Sequence, residues 1–165
     1  MPYISRYISP LGPMTITSDG LYLTGLWFDG QRYSPLVTGT ENPDGTLPSV
    51  ITETAEWLDC YFSGERPDFL PALKLEGSAF RRRIWDMLLA IPYGHTVTYG
   101  ELAREYARMN SLQAMSSQAV GGAVGHNPVS IIVPCHRVVG SGGSLTGYAG
   151  GVELKRRLLE LEHAI

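Results

Sequence analysis

Hydrophobic residues change their spacing part-way along this 165-residue chain. In residues 3–8, 14–17 and 21–28 they alternate with polar residues or form β-rich runs, and segments rich in Pro, Gly and Asp separate these runs. Such short runs between tight turns are typical of consecutive antiparallel strands. In residues 51–62 the apolar spacing becomes that of a helix. The beginning of the chain is therefore predicted to form a small sheet with one helix packed on it.

Four further helices are predicted after residue 77. Their ranges are residues 80–91, 99–106, 116–124 and 152–162, the last with Leu154, Leu158 and Leu161 turned inward. Ser78 and Thr98 are suited to cap the first two, because their hydroxyls can accept hydrogen bonds from free backbone N–H groups. The apolar run at residues 131–133 is predicted to be a buried strand that Pro134 ends. The two short middle helices have the outline of a helix-turn-helix unit.

These elements predict an α/β (α+β) fold in two domains, residues 1–76 and residues 77–165. An apolar fraction of 44% is sufficient for a buried core. No apolar run approaches the ~20 residues of a membrane span, and the first ten residues lack the basic and long apolar regions of a secretory signal. We therefore expect a cytoplasmic protein, or a nuclear one in a eukaryote, that has no membrane partner.

Charge is distributed unequally along the chain. Residues 1–80 contain four basic and ten acidic side chains, a net charge of −6, whereas residues 81–165 contain nine basic and six acidic ones, a net charge of +3. A basic half in an otherwise acidic chain indicates an anionic partner. Ordinary solvated helix faces can give the same balance, so charge alone does not identify that partner.

The two cysteines lie in dissimilar surroundings. Cys60 lies within a helical pattern, whereas Cys135 follows the apolar run at residues 131–133 and precedes His136. Two cysteines cannot form a disulfide framework, and neither has zinc-ligand spacing, so no metal or other cofactor is predicted and a reducing compartment is favoured. Nothing near Cys60 in the sequence would activate it, and a Cys60→Ser variant is expected to remain active.

Cys135 has the neighbours that a nucleophilic thiol needs. A thiol reacts as the thiolate, so it requires a base or a positive field. His136 is the candidate base, acting across a turn or through a water, because adjacent residues on an extended strand point to opposite faces. Glu162 is the candidate for fixing the histidine tautomer. The alternative is that Cys135 is a small buried apolar residue and that Asn127 is only a turn residue before Pro128.

Several blocks of the sequence together indicate a family. They are GHNPVSIIVPCHRVVG at 125–140, FRRRIW at 80–85, IPYG at 91–94, TYGELA at 98–103, AVGGA at 119–123 and LTGYAGG at 145–151. In content and order these blocks resemble those of the O6-alkylguanine-DNA alkyltransferases, and the resemblance runs from residue 77 to residue 162. Residues 1–76 match loosely, through SPLGP at 9–13, and have the strand-rich composition of the family's ribonuclease-H-like domain.

The resemblance implies a fold and an activity. The fold is a small ribonuclease-H-like domain followed by a mostly helical, winged helix-turn-helix-like domain that carries the active-site cysteine. The activity is direct, irreversible transfer of an alkyl group from guanine O6 in duplex DNA to that cysteine, with O4-alkylthymine as a further candidate lesion. Because a stacked base cannot reach a buried sulfur, the nucleotide must first be everted. Each molecule would act once, as a monomer and without a cofactor.

The same resemblance implies roles for individual residues. Cys135 is the acceptor, His136 the water-mediated base, Glu162 the residue that orients the base, and Asn127 the residue that stabilises the turn presenting the thiol. The pocket for the everted base is lined by Tyr99, Val138, Tyr148 and Ala149. Contact with the minor groove of DNA is expected from Gln118, Ala119, Gly121, Gly122 and Arg137. The alternative for the glycines is that they only allow two helices to pack closely.

Three features depart from the family pattern. Gln118 stands where an arginine usually fills the gap left by the everted nucleotide, which predicts weaker duplex binding or slower eversion. Residues 104–117 are longer than the usual link between the two helices, which predicts a displaced recognition helix or an extra loop over the DNA. Ala149 stands where many relatives have serine, which predicts a pocket that accepts larger alkyl groups.

Two other functions stay open from the sequence. A non-catalytic binder of damaged DNA, like the alkyltransferase-like proteins, would keep the fold but replace the acceptor cysteine, so the presence of Cys135 disfavours it. A Cys-His-Glu hydrolase would turn over repeatedly, but no oxyanion-hole motif can be named. The mass of the protein after incubation with alkylated DNA would separate all three functions.

Overall fold

The structure is a computed structural model that describes residues 2–35, 42 and 45–165. The elements in chain order are β1 (Tyr3–Ser9), β2 (Gly12–Ser18), β3 (Leu23–Phe28), α1 (Ser49–Phe62), α2 (Ala79–Leu89), β4 (Val97–Thr98), α3 (Tyr99–Met109), α4 (Ser117–Gly125), β5 (Val138–Val139) and α5 (Val152–Leu161), with 3-10 turns at Cys135–Arg137 and Ser141–Gly143. The predicted mixed α/β fold class is confirmed. None of the helices in these described ranges is both long enough and apolar enough to cross a membrane.

The chain divides into two compact units. The first contains Met1–Glu76 and Pro128–Ser130, and the second contains Gly77–Asn127 and Ile131–Ile165. The short excursion at Pro128–Ser130 joins the first unit because its backbone bonds to β3: the N–H of Leu26 donates to the carbonyl of Pro128 at 2.9 Å, and the N–H of Ser130 donates to the carbonyl of Leu26 at 2.8 Å.

The first unit is a three-stranded antiparallel sheet covered by α1. The strand order is β1-β2-β3, and the register places Met14 opposite both Tyr7 and Phe28. Residues on both faces of β2 and β3 are buried, and the core includes Met14, Ile16, Leu26, Ile51, Leu58 and Tyr61. Helix α1 ends at Ser63 and Gly64, where Gly64 takes a positive φ of 90°. The strands and helix predicted for this region are therefore present.

The second unit is built from helices whose N-termini are capped as the sequence predicts. Ser78 Oγ accepts from the N–H of Arg81 at 3.2 Å, and Thr98 Oγ1 accepts from the N–H of Glu101 at 3.0 Å. Helix α3 continues to Met109, so part of the long 104–117 segment is helical and only its remainder links α3 to α4. The indole of Trp85, which is buried, donates to the carbonyl of Ala123 at 2.8 Å and ties α2 to α4.

The predicted strand at residues 131–133 is wrong. These residues form a buried turn, in which Ile131 takes a left-handed φ of 69°. An apolar run reads the same whether it is a buried strand or a buried turn, so periodicity could not separate the two. The strand that follows Cys135 is instead β5, which pairs in parallel with β4.

The inward face of α5 also differs from the prediction. Leu158 is fully buried as expected, but Leu154 and Leu161 are only half-buried. Lys155 and Leu159 take their places in the core. The helix is rotated relative to the predicted leucine stripe, and a charged side chain therefore enters the interior.

Candidate active site

The turn before Cys135 is held from within the chain. The Nδ2 of Asn127, at the end of α4, donates to the carbonyl of Val133 at 2.7 Å, and the N–H of Cys135 donates to the same carbonyl at 2.8 Å. A left-handed β-branched residue is energetically costly, so the strained Ile131 persists only because such bonds hold the turn around it. Ile131 lies four residues before Cys135, in the turn that Asn127 was predicted to stabilise.

The thiol of Cys135 is neutral in the resting site. Cys135 begins the 3-10 turn Cys135–Arg137 and is 6% exposed. Burial raises the pKa of this thiol, and it outweighs the opposing effects of a hydrogen bond from the Asn127 side chain, of the Lys155 charge and of neighbouring backbone N–H groups. A buried thiol with a raised pKa is a weak nucleophile until a group removes its proton.

His136 and Glu162 form a buried pair with a defined proton arrangement. The Nε2 of His136 lies 2.5 Å from the Oε2 of Glu162, and both side chains are fully buried. Burial lowers the pKa of His136, so its ring is neutral at pH 7. A carboxylate can only accept, so Nε2 carries the ring proton and Nδ1 has the free lone pair. Nδ1 is buried and has no hydrogen-bond partner among the described residues. The pair thus presents one basic nitrogen.

Glu162 is held ionised by more than His136. Its Oε1 accepts from Arg137 Nε at 2.8 Å and from the N–H of Gly94 at 3.1 Å. Burial alone would raise the pKa of this carboxyl, but the hydrogen bonds and charges of His136 and Arg137 prevail and lower it to about 2. A fixed negative charge behind the imidazole favours the protonated ring during proton transfer.

The placement of Arg137 argues against its predicted contact with DNA. Its side chain is buried, and its Nη1 donates to the carbonyl of Ile91 at 2.7 Å while its Nε bonds to Glu162. A guanidinium that is committed to buried acceptors is not available to a phosphate. We therefore assign Arg137 to the support of Glu162, which is a role that sequence reasoning missed.

Tyr99 and the glycine-rich loop meet at one carbonyl. The Tyr99 hydroxyl donates to the carbonyl of Thr146 at 3.2 Å, and Lys155 Nζ donates to the same carbonyl at 2.8 Å. Burial, followed by the proximity of Cys135, raises the pKa of Tyr99 to about 12, so its hydroxyl stays protonated and can donate. Of the other predicted pocket residues, Tyr148 and Ala149 are half-buried on this loop and Val138 is fully buried in β5.

Two family models match the chain over almost its whole length. The model described as "6-O-methylguanine DNA methyltransferase, ribonuclease-like domain" matches residues 3–75, and the one described as "6-O-methylguanine DNA methyltransferase, DNA binding domain" matches residues 79–164. This chain belongs to the 6-O-methylguanine DNA methyltransferase family. The predicted membership is therefore confirmed.

Relatives of known name agree with this assignment. A methylated-DNA–protein-cysteine methyltransferase of Mycobacterium tuberculosis is 46% identical over 154 residues, which cover 93% of this chain and 88% of the relative. One from Haemophilus influenzae is 44% identical over 97% of this chain and 86% of its own. A crystal structure of M. tuberculosis OGT in complex with DNA has a TM-score of 0.82 and 41% identity, and the match covers 98% of this chain and 93% of that one.

Within the part matched to the family's DNA binding domain, α4 carries most of the residues predicted to contact DNA. Gln118, Ala119 and Gly122 are exposed on one side of the helix, whereas Val120 is buried on the other. Apart from the nearby backbone of α4 itself, a Cβ added at Gly122 would meet no atom of the described residues within 4 Å, and one at Gly121 would make an ordinary contact of 3.8 Å with the Tyr99 ring. Close packing of helices therefore does not explain these glycines.

The site contains no metal centre in the part of the chain that the structure describes, where no group of three or more His, Cys, Asp or Glu side chains could hold an ion.

One charged residue of the site was missed by sequence reasoning, namely Lys155. A signal for it existed, because Lys155 lies seven residues before Glu162 and so shares its helical face. Counting back from the predicted Glu162 would have found it.

Proposed function

We propose that this protein repairs DNA by transferring the alkyl group of O6-alkylguanine in duplex DNA irreversibly to the sulfur of its own Cys135. One observation carries the proposal: a buried thiol is followed directly by a neutral histidine whose Nε2 is bound to an ionised Glu162 and whose Nδ1 is unpartnered among the described residues. The relatives named methylated-DNA–protein-cysteine methyltransferases support the same activity. The chain is thus assigned the role of a single-use methyltransferase.

The first chemical step is ionisation of Cys135. His136 takes the thiol proton through a bridging water at Nδ1, since Nε2 already donates to Glu162. The positive charge that forms on the imidazole lies against the Glu162 carboxylate, which stabilises it. Asn127 supports the thiolate by a hydrogen bond, because its side chain lowers the pKa of Cys135.

The second step is displacement at the alkyl carbon. The thiolate sulfur forms a bond to that carbon as the bond from carbon to guanine O6 breaks, and the electron pair leaves with the guanine. The guanine then takes up one proton, which balances the one that the thiol lost. Hydrogen-bond donors near the departing base stabilise its charge, and we assign this task to the protonated hydroxyl of Tyr99, which turns from the Thr146 carbonyl to the base when the lesion is bound. The product is a stable thioether, so we expect each chain to act once.

DNA is engaged through α4 in the minor groove. The exposed small residues Ala119 and Gly122 allow the helix to approach the sugar-phosphate backbone closely, which favours binding that tolerates sequence. Gln118 occupies the space of the everted nucleotide and bonds to the orphaned partner base. Tyr99, Val138, Tyr148 and Ala149 are assigned to the pocket. A DNA substrate, together with bacterial and archaeal relatives, favours a cytoplasmic location, or a nuclear one in a eukaryote, and we expect the protein to act as a monomer.

The experiment that tests this function is a stoichiometry measurement. Duplex DNA with one O6-methylguanine is added in tenfold excess, and the intact protein mass and the remaining lesion are followed over time. We expect the protein to gain one CH2 group and the reaction to stop after one lesion per chain. Continued turnover without an adduct would identify a hydrolase, and retained binding with no adduct would identify a non-catalytic binder; either result contradicts the proposal.

A further inference from the structure

Lys155 is buried in a way that its chemistry does not favour. The side chain lies on α5 and is fully buried, whereas the chain's other lysine, Lys74, is 54% exposed. Lysine is almost never fully buried unless it is paired with an opposite charge. In the described ranges no carboxylate forms a salt bridge with Lys155. Some other group must therefore offset the cost of burying the ammonium.

The ammonium group joins two parts of the candidate active site. Its Nζ donates to the carbonyl of Thr146 and lies 5.7 Å from the centre of the Tyr99 ring, a distance at which a cation is attracted to the ring face. The Tyr99 hydroxyl donates to the same carbonyl. A Cβ at Gly147 would lie only 3.0 Å from that hydroxyl, so glycine permits the loop to approach Tyr99. Lys155 therefore holds the loop and the tyrosine together.

The charge of Lys155 is coupled to the thiol. Burial lowers the pKa of Lys155 to about 8, and the ionised form of Cys135 opposes this shift by raising the lysine pKa. In return, Lys155 lowers the pKa of Cys135. The same positive charge also lowers the pKa of His136. The first of these two effects of the cation favours the thiolate, and the Glu162 carboxylate, which raises the pKa of His136, opposes the second.

We propose that Lys155 is a positioning residue of the acceptor site, whose buried ammonium is the counter-charge of the Cys135 thiolate once His136 has taken the thiol proton, and which ties Tyr99 to the backbone of Thr146. This inference rests on the proposed function, since the ionised thiol is the attacking group. The titratable and charged groups around the thiol are Tyr99, His136 and Lys155, with Arg137 and Glu162 behind the imidazole. His136 takes up the thiol proton, and Lys155 stabilises the negative charge that remains on the sulfur of Cys135.

The first test removes the charge and follows the thiol without DNA. Lys155→Met and Lys155→Arg are made in a Cys60→Ser background, with Lys74→Met as the matched control, and the rate of Cys135 alkylation by iodoacetamide is measured against pH. We expect Lys155→Met to raise the pH midpoint by about one unit and to slow alkylation at pH 7 roughly tenfold, because only the thiolate reacts. Lys155→Arg should restore most of the shift, and Lys74→Met should match the parent. A folded Lys155→Met protein with an unchanged midpoint overturns the proposal.

The second test keeps Lys155 and needs no variant at that position. The chain contains two lysines, so carbon-13 labelling gives two side-chain signals that can be titrated by NMR. In Cys135→Ala we expect the Lys155 midpoint to fall by at least about half a unit relative to the parent protein, because the thiolate that raises it is gone. The Lys74 midpoint should not move. Equal Lys155 midpoints in the two proteins contradict the coupling.

These titrations separate this inference from the proposed function. If the parent protein accepts a methyl group from O6-methylguanine DNA but both titrations show no coupling, only the role of Lys155 is wrong. If the titrations show the coupling but no methyl group is accepted, the proposed function is wrong and the lysine–thiol pair stands as a property of the site.

Discussion

The two cysteines of this protein are both held in their neutral form by burial, but their polar neighbours differ. Cys60 lies on α1 in the first unit, where burial raises its thiol pKa and the carboxylates of Glu65 and Asp68 raise it further. Cys135 lies in the second unit, where burial also raises the pKa but the Asn127 side chain and the Lys155 charge oppose it. Burial therefore acts in one direction at both thiols, and the neighbouring polar groups act in opposite directions.

This difference shows what makes one thiol an acceptor and the other a bystander. A neutral thiol is protected from adventitious oxidants, which is useful for a protein that acts once. Of the two thiols, only Cys135 also has a base, His136, and a compensating positive charge, Lys155, which allow the thiolate to form when the thiol reacts. Replacing the groups around each thiol tests the comparison in both directions.

The largest effect is expected from Glu162→Gln. The amide keeps the size of the carboxylate but cannot stabilise a protonated His136, so methyl transfer should fall by about 10²-fold. Breaking a buried pair also leaves Arg137 uncompensated, which costs about 3–5 kcal/mol of the free energy of unfolding. Glu160→Gln, an exposed carboxyl on the same helix, is the control and should behave like the parent in rate and in urea unfolding. Parental transfer by Glu162→Gln would remove the histidine–glutamate pair from the mechanism.

Acid should weaken the folded protein in a defined pH range. The folded pKa of Glu162 is about 2, below its ordinary 4.5, so the unfolded chain binds more protons between these values and stability falls as pH falls through them. The lowered pKa of His136 acts with the same sign below its ordinary 6.5. We expect the free energy of unfolding, measured in urea, to decline from about pH 6.5 to pH 2, and the decline below pH 4.5 to be shallower in Glu162→Gln. An unchanged slope in that variant would refute the assignment.

Asn127→Ala should weaken the stabilisation of the Cys135 thiolate and leave the Cys60 thiol unchanged. The variant loses the hydrogen bond to Val133 and the one that favours the Cys135 thiolate, so we expect a loss of about 1–3 kcal/mol in stability and a roughly tenfold slower transfer. Asn110→Ala, which loses a bond at the end of α3, serves as the control: it should lower stability without slowing alkylation of Cys135. If both variants slow the thiol equally, general destabilisation is the cause.

Gln118→Arg should change how the lesion in DNA is bound and everted, and should leave the reactivity of both thiols unchanged. An arginine adds a cation on the exposed side of α4, so transfer from duplex DNA should speed up a few-fold and the slope of log affinity against log salt should steepen by about 1. Iodoacetamide alkylation of Cys135 without DNA should be unchanged, because the substitution is not in contact with the thiol. Equal single-turnover rates for parent and variant would refute the prediction that Gln118 weakens duplex binding or slows eversion.

The smallest effect is expected at Cys60. Replacing its two acidic neighbours, as Glu65→Gln with Asp68→Asn, should lower the pKa of the Cys60 thiol and speed its alkylation at pH 8 by less than about twofold, because both carboxylates are exposed and screened. Alkylation of Cys135 in the same sample is the internal reference. A slower reaction at Cys60 would mean that the sign of the carboxylate effect is wrong.

The sequence predicted the elements whose causes are local. The strands of the first unit follow from alternation between turns, and the helix starts at Ser78 and Thr98 follow from side-chain caps, so both could be found without tertiary structure. Family resemblance supplied Cys135, His136, Glu162 and Asn127. The structure joins His136 to Glu162 and Asn127 to the turn, and the catalytic roles predicted for these residues stay predictions.

The remainder could not be predicted because its causes are tertiary. The left-handed Ile131 is held by a bond from Asn127 to a residue six positions on, which no local propensity reports. Arg137 and Lys155 are charged residues, and their types suggest solvent or DNA. Both are buried because their partners lie inside the second unit: the Ile91 carbonyl accepts from Arg137, and the Thr146 carbonyl and the Cys135 thiol are the partners of Lys155. Charge type alone therefore did not indicate that Arg137 and Lys155 are buried.

The most direct measurement is to locate the transferred group between the two cysteines. Duplex DNA carrying an isotopically labelled O6-methylguanine is incubated with the parent protein and with Cys135→Ala, and the peptides that contain Cys60 and Cys135 are resolved by mass spectrometry. We predict one label per parent chain, all of it on Cys135, and none on either peptide of the variant. Label on Cys60, or loss of the lesion in Cys135→Ala, would contradict the view that the groups around Cys135 make it the acceptor.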